Sequence, residues 1–559
     1  MKRMLCAALA SAILLPAAAQ KNHNFEIAKN LDIFNALYRE LDTYYVDTLD
    51  ANKYITTAIN AMLNDVDPYT EYFPYDKQKE LEQMSTGFKY AGIGALIRYD
   101  KSVDRCCIDE PYEGMPALQA GLQAGDVILS IDGKDTGKRG SQALDTYTQS
   151  VSNALRGEAG TSFVLKVQRP GVEKPLTLNI TRRNITFPVI TYAGMLTDSI
   201  GYVGLSQYTR DCARDVKRAM TELKQQGASS MVLDLRGNGG GLMVEAINLV
   251  NMFIGRDKTV LETRGKTGAE NYTYRTTEQP WDENIPLVVL VDEATASSAE
   301  ITSGALQDYD RAVIIGRRTY GKGLVQQPRE LPYKATLKVT TSKYYIPSGR
   351  CVQAYDFKNR NADGSPKHLP DSLCHTFYTA AGRPVKDGGG ITPDLTVKPD
   401  TLSDITLQLD ASDAFFHYCN RYYATHKSIA PARSFSLTDA ELDQLCQDVQ
   451  QDSLEYTTRS QRTIEVLKKS MKYDGYDQSA KAQFDALAEA LKPDFHRDFE
   501  REKKQIRQLA EVEIVRRYYH QRGVAEYGLR EDACVARAIE VLQHPDEYRR
   551  ILQPAPNKK

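Results

Sequence analysis

The strongest constraint on this chain is a pair of continuous apolar runs, LVVLV at residues 287–291 and AVIIG at residues 312–316. A strand that is buried on both faces is apolar at every position, as the strands of parallel sheets are. Strand and helix signals alternate throughout residues 184–400, which indicates an α/β layer fold. Segments that follow neighbouring parallel strands meet at one edge of the sheet, where such folds carry their sites.

A serine and a lysine follow these two runs. Ser297 lies where a helix should begin and extend to about Gln307, because Ser followed by Glu three residues later is typical of a helix start. Lys322 lies between two glycines after the second run. A neutral lysine can take the proton of a serine hydroxyl, provided that burial lowers its pKa from the usual value of about 10.4. If the segment around Ser297 is considered without the second apolar run and Lys322, the simpler interpretation is that Ser297 or Ser298 only caps the helix.

Two other interpretations of this region fit less well. Residues 316–322 (GRRTYGK) match the first seven positions of a phosphate-binding loop, but Gly323 stands where that loop needs Ser or Thr. A Ser–His–Asp hydrolase would need a GxSxG turn, which the sequence lacks, and His368 and His375 lie in a polar loop. The eight histidines form no HExxH pattern and no i, i+4 pair, so we expect no metal site and no cofactor.

Residues 87–183 change in character, with short apolar strands separated by Gly, Asp and Pro. Gly92 and Gly94 precede a strand, and the pieces GMPA, AGL, GDVI and IDG follow in order at residues 114–133. This set resembles a PDZ domain of the permuted type found in secreted proteases. A terminal carboxylate would be held by the N–H groups of Gly92, Ile93 and Gly94, and the strand beside them would accept an extended peptide. The alternative is a small β-rich domain with ordinary turns, and whether the groove binds peptide or only regulates stays open.

The stretch ATASSAEITSGALQDYDRAVIIGRRTYGKGLVQ, residues 294–326, resembles the active-site block of the C-terminal processing peptidases, also called tail-specific proteases. The resemblance implies a nucleophile at Ser297, which lies 25 positions before a general base at Lys322. It also implies that Gln326 orients the lysine. Ala299 stands where this family usually has Ser, which keeps the neighbouring Ser298 as an alternative nucleophile.

Further blocks agree with this family. Residues 231–241 (MVLDLRGNGGG) resemble its oxyanion loop, which implies that the N–H groups of Gly241 and Ser298 hold the oxyanion. Residues 338–350 and 390–394 resemble its later core motifs. The implied fold is a crotonase-type or Clp-protease-like α/β core with an inserted PDZ domain. The implied function is a serine endopeptidase that cuts exported proteins near their C-termini through an acyl-enzyme, while the PDZ domain binds or gates the tail. A catalytically silent peptide-binding scaffold and a non-peptidase member that binds apolar ligands remain alternatives.

The chain begins like an exported protein. Lys2 and Arg3 precede an apolar run to Leu15, and small residues follow at 17–19, which is typical of a signal peptide. We therefore expect a periplasmic protein, either soluble or peripherally associated with the envelope. Export would also permit a disulfide between Cys351 and Cys374, which flank one polar loop.

The predicted organisation has five parts: a signal peptide at 1–19, an N-terminal helical segment at 20–86, the PDZ domain at 87–183, the peptidase core at 184–400, and a helical domain at 401–559. The last part is charged and lacks a strong strand signal, which predicts helices, for example at residues 479–491 and 498–519. It carries no recognisable motif, and a lid, an oligomerisation element or an adaptor-binding arm would each fit it. The expected partners are protein or peptide substrates, an adaptor or activator, and a second copy of the chain bound through the helical domain. Lys and Arg total 71 and Asp and Glu total 73, and this balance argues against nucleic acid as a partner.

Overall fold

The computed structural model describes residues 2–78, 80–82, 90–398, 401–451, 454 and 456–554. The chain divides into two units, Met1–Tyr75 with Pro328–Val339, and Asp76–Gln327 with Thr340–Lys559. None of the helices in the described part combines the length and the apolar content that a membrane span needs. Cys351 and Cys374 are free thiols, so the disulfide that the sequence would permit is not formed.

The first unit is mainly helical, with α1 at Lys2–Tyr44, α2 at Ala51–Val66 and the short strand β1 at Glu71–Phe73. Asp50 caps α2 by accepting a hydrogen bond from the Lys53 N–H at 3.1 Å. After α2, the Asp67 carboxylate accepts from the N–H groups of Tyr69 and Thr70, both at 2.8 Å, and these hydrogen bonds hold a turn. β1 then pairs antiparallel with residues 336–338.

The region predicted to be a PDZ domain contains a six-stranded antiparallel sheet and a covering helix. Its elements are β2 (Tyr90–Gly92), β3 (Ala95–Asp100), β4 (Arg105–Pro111), α3 (Pro116–Gln119), β5 (Val127–Ile131), β6 (Lys134–Asp135), α4 (Leu144–Leu155), β7 (Ser162–Gln168), β8 (Leu176–Thr181) and β9 (Arg183–Ile185). The sheet order is β3-β4-β5-β7-β8, with β6 paired only with β5, so β3 is an edge strand of the described sheet. Its core packs Ile108, Ile128 and Leu165 against Val151 of α4.

The central sheet has the order β10-β11-β12-β15-β16-β23, in which β10 is antiparallel and the other five strands are parallel. The two apolar runs form the adjacent strands β15 and β16, as predicted. The elements from β10 to β18 are β10 (Ile190–Met195), β11 (Ile200–Leu205), α5 (Cys212–Gln225), β12 (Ser230–Asp234), α6 (Met243–Asn251), β13 (Thr259–Gly265), β14 (Tyr272–Arg275), β15 (Leu287–Val291), α7 (Ser298–Asp308), β16 (Val313–Gly316), β17 (Leu324–Leu331) and β18 (Ala335–Tyr345). The remaining strands are β19 (Tyr355–Arg360), β20 (Pro366–His368), β21 (Thr376–Tyr378), β22 (Pro384–Lys386) and β23 (Leu395–Thr396).

The C-terminal region is helical, as the sequence predicts. Its helices are α8 (Asp404–Asp410), α9 (Asp413–Thr425), α10 (Asp439–Gln451), α11 (Arg459–Asp474), α12 (Lys481–Ala490), α13 (Phe495–Arg501), α14 (Lys503–Gly528), α15 (Ala533–Gln543) and α16 (Pro545–Ile551). The helix predicted at 479–491 is confirmed as α12, whereas the one predicted at 498–519 is not continuous. It breaks at Glu502, where the backbone leaves helical geometry (φ −101°, ψ 14°). α14 has a second break at His520 (φ 53°, ψ −159°), directly after the predicted end, before it resumes to Gly528.

The central sheet is buried on both faces by helices from different parts of the chain. Leu287, Val289 and Val291 of β15 pack in one apolar cluster with α5, α6 and α7. Val288 and Leu290 point to the opposite face, because side chains alternate along a strand. There they pack in a second cluster with Cys534, Val535, Ala538 and Val541 of α15. The C-terminal helical domain therefore supplies the second helical layer of the α/β core.

An ion-pair bridge fixes α15 beside the sheet. The Arg236 guanidinium, which follows β12, contacts the Asp234 carboxylate at 2.6 Å and the Asp532 carboxylate at 2.7 Å. Asp532 also caps α15 by accepting from the N–H groups of Cys534 and Val535. The same aspartate thus joins the start of the helix to the carboxyl end of a core strand.

We expect Val535→Asp to lower the free energy of unfolding by about 3 kcal/mol, because it places an unpaired carboxylate against the sheet. Val535 is only 1% exposed. The control is Ala536→Asp, one residue further at an exposed position, which should cost about 0.5 kcal/mol. Urea denaturation followed by circular dichroism measures both, and equal losses would contradict the layered core described above.

The C-terminal helical domain also contacts the PDZ domain. His417 of α9 lies 2.7 Å from the Asp100 carboxylate at the end of β3. Asp413 of the same helix accepts hydrogen bonds from the Arg98 guanidinium and from the Lys101 N–H, each at 3.1 Å. Burial alone would raise the pKa of Asp100, but the hydrogen bonds from His417 and Ser102 outweigh it and hold the pKa at about 2.

This depressed pKa predicts a pH-dependent contribution to stability. Because the folded value of about 2 lies below the usual 3.8, ionised Asp100 stabilises the fold above pH 4, and this contribution is lost as the pH falls through 2. We expect Asp100→Asn to lower the unfolding free energy by about 2 kcal/mol at pH 7, and by about half of that at pH 3.

Urea denaturation of wild type and variant across this pH range measures the difference. Asp145→Asn, at an exposed position of the same domain, is the control and should change the free energy by less than about 0.5 kcal/mol. A loss at Asp100 that did not vary with pH would show that the carboxylate charge is not what matters there.

Candidate active site

Three loops meet at the carboxyl-terminal edge of the central sheet, because β12, β15 and β16 are adjacent and parallel. They comprise residues 235–242, 292–297 and 317–323. The Thr295 hydroxyl donates to the Leu235 carbonyl at 2.9 Å, and the Tyr320 N–H donates to the Thr295 carbonyl at 3.0 Å. The sequence expectation that the two segments after the apolar runs meet at one edge is met.

Ser297 occupies a strained position at the head of α7. Its backbone has φ 56° and ψ −116°, which lies outside the regions that a residue with a side chain normally adopts. Such a conformation costs about 1–3 kcal/mol and persists only where the surroundings hold it. The helix begins one residue later, at Ser298, and ends at Asp308, close to the predicted range.

The buried carboxylate of Glu300 is what holds this backbone. One oxygen, Oε2, accepts from the Ser297 N–H at 2.9 Å and from the Lys322 N–H at 2.8 Å. The other, Oε1, accepts from the Gly321 N–H at 2.7 Å and from the Thr319 hydroxyl at 2.6 Å. The loop of the predicted nucleophile and the loop of the predicted base are therefore bound to the same carboxylate.

The side chain at position 300 must accept hydrogen bonds at both of its terminal atoms, because all four groups that contact them are donors. A carboxylate meets this requirement. Glu300 is completely buried, and burial raises the pKa of its carboxyl, although the Thr319 hydroxyl and the three backbone N–H groups oppose the rise. In the sequence, Glu300 is identifiable only as the acidic residue of a helix N-terminus. Its bonds to residues 319–322 come from a segment about 20 positions away, and no local pattern shows them.

The glycine-rich loop after β12 packs directly against the Ser297 loop. A Cβ at Gly240 would lie 2.8 Å from the Ala296 carbonyl and 2.8 Å from the Ser297 Cβ, so only glycine fits there. Asn238, which is fully buried, organises this loop: its amide donates to the Leu205 carbonyl and accepts from the Gly240 N–H, both at 2.8 Å. Sequence reasoning quoted Asn238 within the motif but assigned it no role.

The predicted oxyanion donors, Gly241 and Ser298, are adjacent in space. The Ser298 hydroxyl donates to the Gly241 carbonyl at 2.9 Å. Among the hydrogen bonds of the described residues, none uses the backbone N–H of Gly241 or of Ser298. Ser298 is 1% exposed, whereas Ser297 is half-buried.

Lys322 lies on the third loop, and Gln326 lies near the start of β17. Lys322 is half-buried between two buried glycines. The Gln326 amide donates to the Thr340 hydroxyl at 3.1 Å, which anchors its nitrogen end to β18. The metal-ligating residue types form no cluster within the described segments.

The predicted PDZ residues lie in their own domain, where Gly92 ends β2 and Gly94 precedes β3. Gly94 has φ 69°, and a Cβ there would approach the Met115 Cβ to 2.5 Å, so glycine is required. The Ile93 carbonyl accepts from the Ala117 N–H at 2.8 Å, which holds the loop in place. A cavity of about 360 Å³ opens beside it, lined by Ile93, Ala95 and Leu155 among others.

Comparison with known proteins agrees with this architecture. The model of Peptidase family S41 matches residues 199–359, and the PDZ domain model matches residues 108–169. A third model, "Probable PDZ-protease, C-terminal helical domain", matches residues 405–542. A carboxy-terminal-processing protease of Bartonella bacilliformis is 32% identical over 349 residues, which are 62% of this chain and 77% of that protein. The chain belongs to peptidase family S41.

A second relative of this S41 peptidase has nearly the same name. A carboxyl-terminal-processing protease of Synechocystis is 35% identical over 300 residues, covering 52% of this chain and 66% of that protein. Among solved structures, a photosystem II D1 C-terminal processing protease is 28% identical and covers 65% of this chain and 87% of its own, with a TM-score of 0.35. A Bacteroides fragilis protein described as an S41 protease is 17% identical over 63% of this chain and 83% of its own, with a TM-score of 0.37.

Family membership confirms several of the sequence expectations. The protein is a serine peptidase of the carboxy-terminal-processing group, with an S41 core, a PDZ domain and a C-terminal helical domain.

We expect Glu300→Gln to lower the kcat of this peptidase by about a hundredfold, because an amide accepts at one end only and its NH2 group would face N–H donors at the other. KM should change little, since Glu300 is buried and does not face the substrate. Glu278→Gln, the same substitution at an exposed position outside the three loops, is the control and should alter kcat by less than about twofold.

Peptide cleavage kinetics and circular dichroism measure this effect. A folded Glu300→Gln variant with the kcat of wild type would show that the four hydrogen bonds of the Glu300 carboxylate do not position the catalytic loops.

Proposed function

We propose that this protein is an endopeptidase that cleaves exported proteins near their C-termini, with Ser297 as nucleophile and Lys322 as general base. The observation that carries this proposal is the single Glu300 oxygen that binds the backbone N–H groups of both residues. A clamp of this kind keeps the serine and lysine loops in one arrangement, which is what catalysis by two positioned groups requires.

The proposed reaction proceeds through an acyl-enzyme. Neutral Lys322 takes the proton from the Ser297 hydroxyl as the Oγ atom forms a bond to the scissile carbonyl carbon. The carbonyl oxygen becomes an oxyanion, which accepts from the N–H groups of Gly241 and Ser298. Lys322 then returns the proton to the leaving amine as the C–N bond breaks. In the second half of the reaction, Lys322 takes a proton from water as the water oxygen bonds to the acyl carbon. It then gives that proton to the Ser297 Oγ as the ester C–O bond breaks and the product leaves with a new carboxyl terminus.

Two features support Ser297 over its neighbour as the nucleophile. The Ser298 hydroxyl already donates to the Gly241 carbonyl and is buried, so its proton has a partner in the resting fold. Ser297 has the strained backbone that lifts a residue out of the helix end, as nucleophile turns in other hydrolases do.

Gln326 is proposed to orient the lysine. Its amide nitrogen is bound to Thr340. The carbonyl oxygen of that amide is the end suited to accept from the lysine ammonium when Lys322 carries the proton.

The remaining parts of the proposal concern substrate and location. The loop of Gly92, Ile93 and Gly94 would hold the C-terminal carboxylate of a protein tail, and the PDZ domain would present or gate it. The basic, apolar and small residues at the start of the chain support export to the periplasm. An adaptor or activator protein and self-association through the helical domain complete the proposed partners.

The decisive test compares three single variants on an unfolded reporter protein with an apolar C-terminal tail. Ser297→Ala and Lys322→Ala should each reduce cleavage by about 10³-fold or more. Ser298→Ala should reduce it by only about tenfold, because it loses one hydrogen bond but keeps its backbone N–H.

The other outcomes decide against the proposal in distinct ways. Activity that survives in Ser297→Ala and is lost in Ser298→Ala would move the nucleophile by one residue. Wild-type protein that binds tails and cleaves none of them would favour the silent peptide-binding scaffold.

A further inference from the structure

The PDZ groove continues beyond the cavity beside the glycine loop. A second cavity of about 1170 Å³ is lined by Ile97, Arg98 and Tyr99 of β3 and by Leu144 and Thr148 of α4. The first cavity, of about 360 Å³, is lined by the earlier part of β3 and by the later part of α4.

The two cavities are halves of one groove. Ile97 lines both of them. On α4, Leu144 and Thr148 line the second cavity and Ser152 and Leu155 line the first. Residues three or four apart lie on the same face of a helix, so the groove follows a single face of α4 from end to end.

An extended peptide fits this groove as an added strand. β3 is an edge strand of the described sheet, and it pairs with β4 on its other side. A strand of six residues is about 20 Å long, enough to pair with roughly six residues of a bound chain. If the terminal carboxylate lies at the Gly94 end, the preceding residues extend along β3 towards Asp100.

The far half of the groove is closed by the helical domain. Gln408 of α8, Ala411, which directly follows α8, and Leu454 line the second cavity together with the PDZ residues. The bonds from Asp413 to the Arg98 guanidinium and to the Lys101 N–H fix this wall to the end of β3. A chain that leaves the PDZ domain along β3 therefore reaches the start of the C-terminal helices.

We propose that α8 and the residues around it form a second binding subsite for the substrate tail. The PDZ domain holds the last three or four residues, and the helical wall holds the residues that precede them. This inference rests on the proposed function of the PDZ domain. Leu144, Ala411 and Leu454 offer apolar surface. The charged side chains that line the cavity are of both signs: Arg98 and Lys101, and Asp109, Asp145 and Asp413. The subsite therefore suits an extended segment with an apolar side chain and no strong net charge.

The test measures tail binding to the full chain that carries Ser297→Ala, by isothermal titration calorimetry. The probes are the acetylated peptides VLAV and TQFTVLAV, which share their last four residues. We expect the longer peptide to bind at least about tenfold more tightly, which corresponds to about 1.4 kcal/mol.

Ala411→Trp fills the far half of the groove from an exposed position. It should reduce the gain from peptide length to less than about threefold and leave the affinity for VLAV unchanged. The matched control is Ala482→Trp, at an exposed position of α12 outside the cavity, which should preserve the gain. Leu144→Ser tests the same point from the PDZ side, so the result does not depend on one variant folding.

Three results would overturn the inference, and they separate it from the proposed function. Equal binding of the two peptides would remove the second subsite and leave the PDZ proposal intact. A length gain that persists in both Ala411→Trp and Leu144→Ser would place the extra contacts elsewhere. Absence of binding by either peptide would overturn the tail-binding role of the PDZ domain together with the subsite.

Discussion

The peptidase core depends on the burial of a parallel sheet on both faces. Strands β11, β12, β15 and β16 are buried along their whole length and are mostly apolar, so neither face of the sheet is stable in water without a helical cover. Helices α5–α7 cover one face, and α15 and α16, more than 200 residues further along the chain, cover the other. The Leu287 N–H donates to the Tyr548 hydroxyl of α16 at 3.0 Å, so even the first residue of β15 is tied to the end of the chain. The C-terminal helical domain is thus part of the core and not an appendage to it.

A second constraint acts at the carboxyl edge of this sheet. Ser297 adopts a backbone conformation that is unfavourable for any residue with a side chain. Beside it, four hydrogen-bond donors from two loops bind the buried carboxylate of Glu300. The desolvation of Glu300 is unfavourable, and the four hydrogen bonds compensate for it. The backbone strain and the buried charge each contribute unfavourable free energy locally, which the packing of the surrounding core offsets. Both occur where two loops must keep a fixed relation to each other, as is common at functional sites.

The C-terminal helical domain has two faces with different partners. One face, on α15, packs against the sheet, and another, on α9, contacts the end of β3 in the PDZ domain. The two contacts differ in chemistry, because the first is mainly apolar and the second is made of ion pairs and hydrogen bonds. Polar contacts of this kind break and reform more readily than a packed core. The domain is therefore placed to connect the handling of a substrate tail to the core that would cleave it.

Strands β15 and β16, the helix start beside Ser297 and the order of the PDZ motifs were predictable from the sequence, because apolar runs, capping residues and glycine turns are local patterns. The distribution of charge predicted helices after residue 400, but not the break at Glu502, which propensity alone does not mark. Three features followed only from the three-dimensional arrangement. Glu300 binds two loops, Asn238 forms hydrogen bonds that hold the glycine loop, and α15 covers one face of the sheet. Each of these joins segments that are distant in the chain, and such pairings are set by packing over the whole fold and not by neighbouring residues.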